Sequence, residues 1–112
     1  MRVLCLHGMG VNAAIFEAQT AHFRSLLVDF EWVFVDGPTE CEAAPGIAAF
    51  YPPPYRCWYT TPTTAKVDSA QRLISSIIER EGPFDAVMGF SQVRGSSSTI
   101  RHRLIRYHME LL

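Results

Sequence analysis

No apolar run in this chain reaches the roughly eighteen residues that a membrane span requires. Nothing resembling a charged, then apolar, then small-residue leader precedes the first strand pattern at Arg2. A soluble, cytoplasmic product with no membrane partner is the expectation. Cysteine is scarce and odd in number. Cys5, Cys41 and Cys57 fall at spacings that match neither a zinc site nor a disulfide framework, so free thiols and no metal are expected. Net charge is nearly absent too: ten Lys and Arg face eleven Asp and Glu, a balance of −1 that gives no overall attraction to nucleic acid or an anionic surface. No internal repeat is present.

What the chain does have is enough apolar material for one core. With 112 residues, 48% of them hydrophobic, it can form a single small domain that buries about two thirds of its unfolded surface. Charge is unevenly distributed. Residues 1–92 hold six basic and ten acidic side chains, whereas residues 93–112 hold four arginines and one glutamate. Val93 therefore marks a compositional boundary between a domain over 1–92 and a basic tail over 93–112. Four arginines give little affinity for nucleic acid at physiological salt, and a solvated tail is the simpler reading.

Along 1–92 the patterning alternates. Arg2 to His7 is a short apolar strand, and Asn12 can cap a helix whose stripe runs through Ile15, Phe16, Phe23, Leu26 and Leu27. Phe30 to Val35 reads as a second strand closed by Asp36-Gly37-Pro38. A proline-rich loop extends to about Thr63. Val67, Ala70, Leu73, Ile74, Ile77 and Ile78 then define a second helix ending near Gly82-Pro83, and Phe84 to Phe90 reads as a third strand. This order predicts an α/β fold with a parallel sheet and crossover helices. Ile100 to Leu112 could form a weak helix.

Gly89-Phe90-Ser91-Gln92-Val93 looks like a nucleophile elbow whose last glycine is valine. Such a turn lifts a serine hydroxyl above the end of a strand and aims the next residue's N–H at the developing oxyanion. Ser91 sits where the third strand would end, making it the candidate nucleophile. Gly8-Met9-Gly10-Val11-Asn12-Ala13 allows two readings. As G-x-G-x-x-A it could admit a dinucleotide, with Asp36 on the ribose. As an oxyanion loop it would supply the N–H of Met9 to join that of Gln92. His7 is expected to shape this loop rather than act as a base. Pro52-Pro53-Pro54-Tyr55 has the PPxY form of a WW-domain ligand. The nearby Phe50, Tyr51, Trp58 and Tyr59 favour a packed lid or acyl-binding wall instead.

Leu4-Cys5-Leu6-His7-Gly8, the helix start at Asn12 to Gln19, Phe34-Val35-Asp36-Gly37-Pro38, Arg56-Cys57-Trp58-Tyr59 and Gly89-Phe90-Ser91-Gln92 together resemble the fungal family of serine hydrolases, the FSH domain. Within it the chain is similar to the LovG-type esterases of polyketide gene clusters. The resemblance covers residues 2–92. It implies the N-terminal half of an α/β-hydrolase fold, left incomplete, and hydrolysis of an acyl ester or thioester without a cofactor. The substrate implied is a carrier-bound polyketide released from its synthase. Of the family's Ser-Asp-His triad only Ser91 carries over, the Asp and His belonging to a C-terminal half that the chain is expected to lack. Without later strands, Phe84 to Phe90 would form an unpaired apolar edge open to another chain. Two alternatives to a working esterase follow: an inactive remnant or partner-binding fragment, and the dinucleotide-binding domain above.

Overall fold

A computed structural model describes residues 1–89 and 108–111. In chain order the elements are β1 (Arg2–Leu6), α1 (Ala13–Ser25), β2 (Glu31–Val35), β3 (Thr39–Cys41), β4 (Tyr55–Cys57), α2 (Thr64–Glu81), β5 (Ala86–Gly89) and β6 (His108–Leu111). The main sheet has the order β2-β1-β5-β6. Its first three strands are parallel, as the alternation of strand and helix patterns predicts, and Leu6 of β1 lies in register with Val35 of β2 and Gly89 of β5.

Successive residues of the central strand face opposite sides of the sheet, and each side has its own core. Val3 and Cys5 join Phe16 of α1 with Ala86 and Met88 of β5, bordered by Phe30, Trp32 and Phe34. Leu4 and Leu6 join Ala70 and Ile77 of α2 with Trp58, Phe84 and Val87. A helix therefore covers each face, which is why β1 reads as an unbroken apolar run: Val3, Leu4, Cys5 and Leu6 are all buried. The fold is α/β and compatible with the N-terminal part of an α/β-hydrolase. Polar contacts fix the foot of the sheet. The Arg2 N–H donates to Asp85 Oδ2 at 2.8 Å while the Asp85 N–H donates to the Arg2 carbonyl at 2.8 Å, locking the entry to β5 against β1.

Both helices start as their caps require. Asn12 Oδ1 accepts from the Ile15 N–H at 2.8 Å, and Thr63 Oγ1 accepts from the Lys66 N–H at 3.3 Å. The apolar stripe of α1 is shorter than expected. Phe16 and Ile15 are buried with Thr20, but Leu26, at the cap of the helix, is 71% exposed.

Three expectations are corrected. The proline-rich segment contains a small antiparallel sheet, with Thr39 opposite Cys57 and Cys41 opposite Tyr55. β5 does not present an open edge: β6 pairs with it antiparallel, setting Ala86 opposite Leu111 and Gly89 opposite His108. Of the weak helix expected over Ile100 to Leu112, His108–Leu111 is a strand instead, and the remainder lies outside the described residues. An unpaired row of backbone donors and acceptors is a stronger demand than weak helix propensity, and His108–Leu111 in extended form meets it.

Candidate active site

The carboxyl ends of parallel strands are where α/β folds place their ligands. Here β2, β1 and β5 end side by side at Val35, Leu6 and Gly89, so Asp36 and His7 leave the sheet as neighbours. Of the site residues expected from the sequence, Met9 lies just beyond β1. Ser91 and Gln92 lie outside the described residues.

His7 is completely buried and organises this end of the molecule. Its Nε2 accepts from the Gly37 N–H at 2.8 Å, which leaves the proton on Nδ1, and Nδ1 donates to the Gly8 carbonyl at 2.7 Å. The His7 carbonyl accepts from Trp58 Nε1 at 2.8 Å, and the two rings lie 5.5 Å apart, tilted by 31°. Burial holds the imidazole below the usual histidine range, outweighing the opposing pull of the Gly8 carbonyl and Asp36. With both nitrogens engaged, His7 is a strut that joins β1, the turn after β2 and the strand end at Trp58, as its position in the loop predicts. It is not a base.

The strut has a geometric consequence for Met9. Cis peptides among the described residues occur only before Pro54 and Pro83, so the Gly8–Met9 bond is trans and planar. In such a unit C=O and N–H point opposite ways. Drawing the Gly8 carbonyl inward to His7 turns the Met9 N–H away from the ring, and among the described residues nothing accepts a hydrogen bond from it. Met9 is itself 43% exposed. An oriented, unpaired backbone donor at the end of the central strand is what an oxyanion loop needs.

The dinucleotide reading of the same glycines fails on three contacts. The Gly10 N–H donates to the Arg56 carbonyl at 3.0 Å, and the Gly10 carbonyl accepts from the Ala44 N–H at 3.0 Å. A Cβ at Gly10, whose φ is +82°, would sit 2.3 Å from the Ala44 nitrogen. The room left by the missing side chain is filled by the protein's own loop, not kept for a pyrophosphate. Asp36 is also occupied, since its Oδ1 accepts from the Ala13 N–H at 2.8 Å and so helps cap α1.

Arg56 is a site residue the sequence did not single out by itself. Its main chain pairs with Gly10 and Val11, and its Nη1 donates to the Gly37 carbonyl at 3.4 Å, so one residue of β4 ties both turns together. Gly37 must approach β4 closely, because a Cβ there would lie 2.6 Å from the Cys57 carbonyl oxygen. The alternation across Tyr55-Arg56-Cys57 is too short to announce a strand. Phe50 departs from the expected aromatic wall, being 82% exposed, whereas Trp58 and Tyr59 pack with α2. Neither buried thiol is a rival nucleophile. Burial pushes Cys5 up to about 12, and burial together with the neighbouring Cys41 thiol pushes Cys57 up to about 11. Among the described residues no cluster of His, Cys, Asp or Glu could hold a metal ion, and no helix is long and apolar enough to cross a membrane.

The fold is thus an α/β sheet whose central strand ends in a glycine loop, with the Met9 N–H unpaired among the described residues. Residues 1–101 match the family described as serine hydrolase (FSH1), and the chain belongs to that family. It is 35% identical over 106 residues to "Esterase alnB" of Emericella nidulans, covering 94% of this chain and 37% of that protein. It is 42% identical over 96 residues to "Esterase FPY3" of Fusarium mangiferae, covering 82% and 44%, and 36% identical over 99 residues to "Hydrolase FUB4" of Fusarium oxysporum, covering 82% and 35%. The chain thus spans less than half the length of these relatives.

Proposed function

We propose that the chain carries the nucleophile half of an ester-hydrolysing site, with Ser91 as nucleophile and the N–H groups of Met9 and Gln92 as oxyanion donors. The observation that carries this reading is the orientation of the Met9 amide by His7, next to the strand end that leads into Gly89-Phe90-Ser91. The register of Leu6 with Gly89 ends β1 and β5 at the same level, so the glycine loop starts beside the last residue of β5. In the reaction, the Ser91 oxygen bonds to the acyl carbon, negative charge collects on the carbonyl oxygen, and the alcohol or thiol leaves. Water then releases the acid. The serine's proton goes to a base other than His7, whose Nε2 lone pair is taken by Gly37.

Family membership and relatives named as esterases support an acyl ester or thioester as substrate. A carrier-bound polyketide is the particular form that the resemblance implies. The alternative of a fragment that recruits a partner through the free edge of β5 loses its motive, because β6 occupies that edge. The kinetic test compares p-nitrophenyl acyl esters with acyl thioesters of matched chain length. Turnover abolished by Ser91→Ala supports the reading, and turnover untouched by it removes Ser91 from the mechanism.

A further inference from the structure

We propose that a cavity of about 390 Å3 between α2 and the segment after β4 receives the acyl part of the substrate, and that Lys66, an exposed residue of its lining, reads a carboxylate at the far end of that group. The inference rests on the hydrolase reading of the neighbouring strand ends. Trp58, Tyr59, Ala70 and Leu73 supply the apolar part of the lining, and Thr39, Thr60, Lys66 and Ser69 the polar part. The volume lies within the range of about 300–1,000 Å3 typical of small-molecule sites, and an apolar lining with few polar groups is their usual composition.

Two features select the occupant. The first is connection to the proposed chemistry. Trp58, which lines the cavity, is the residue whose indole N–H holds the His7 carbonyl, so the cavity is separated by one ring from the strut that orients the Met9 amide. A chain lying against Trp58 is thus directed toward the strand ends. The second is charge. Lys66 is the only lysine of the chain. Its Nζ donates to Thr60 Oγ1 at 3.2 Å, and among the described residues no carboxylate pairs with it. An exposed ammonium over an apolar cavity fits an amphiphile, apolar along its length and anionic at its end, better than a neutral alkyl chain.

Octanoate and 1-octanol probe this on the full chain carrying Trp32→Phe, which leaves Trp58 as the only tryptophan. The expected result is a saturable change in Trp58 emission with both, tighter for octanoate. Lys66→Gln should weaken octanoate by roughly two- to fivefold, the effect of one exposed ion pair, and leave 1-octanol unchanged. Leu73→Ala should weaken both. Absence of saturable binding overturns the proposal, as does an octanoate-to-octanol ratio unmoved by Lys66→Gln. The same titration run beside fluorophosphonate labelling of the chain with Ser91 intact separates the two readings. Octanoate binding without any fluorophosphonate labelling of Ser91 would keep the cavity and retire the hydrolase, while labelling without octanoate binding would do the reverse.

Discussion

Because Gly37 donates to Nε2 of His7 and Nδ1 donates to the Gly8 carbonyl, protonating that ring would break one hydrogen bond at a site buried away from solvent. The folded pKa lies below the unfolded value of 6.5. The unfolded chain therefore binds this proton first, so the contribution of His7 to stability is complete above about pH 6.5 and is lost as pH falls from there toward the folded value. Urea midpoints measured from about pH 7.5 down to 5.5 should decline, and His7→Gln should flatten that decline while lowering stability by about 1–3 kcal/mol at neutral pH. The two left-handed glycines make a matched pair. Gly46, with φ +83°, has nothing within 4 Å of the position a Cβ would take, so Gly46→Ala should cost only the conformational penalty of about 1 kcal/mol. Gly10→Ala adds a collision with the Ala44 backbone and should lower the urea midpoint by clearly more.

The start of α1 joins three segments, since Asn12 caps the helix, its Nδ2 donates to the Pro54 carbonyl at 2.7 Å, and Asp36 reaches the Ala13 N–H. Asn12→Ala should cost about 1 kcal/mol of stability in a thermal or urea melt. At the opposite edge, β6 is what keeps β5 from presenting bare backbone. Deleting residues 108–112 should produce concentration-dependent association, read by light scattering, that the full chain lacks. The main elements were legible in the sequence wherever burial is simple: β1 as an apolar run, α2 as a periodic stripe, and Asn12 as a cap. The β3 and β4 pair was not, because three-residue strands set among prolines carry no usable period. β6 was hidden for another reason. Its strand state comes from the partner edge of β5, which no local pattern in His108 to Leu111 encodes.

The described residues form two cores separated by a sheet, with His7, Met9 and Asp36 at one end of it. Fold and family were visible early because the residues that shape the strand ends, His7-Gly8, Asp36-Gly37-Pro38 and Trp58, are also the ones that the packing depends on. The role of His7 in aiming an amide was not visible, since it depends on which nitrogen faces Gly37. Ser91 is the proposed nucleophile and the Met9 N–H a proposed oxyanion donor. Intact-mass measurement after treatment with a fluorophosphonate, followed by peptide mapping, tests this assignment most directly. The account predicts a single adduct on Ser91 that disappears in Ser91→Ala and slows in His7→Gln; a folded chain that takes no label, or takes it equally in Ser91→Ala, would contradict it.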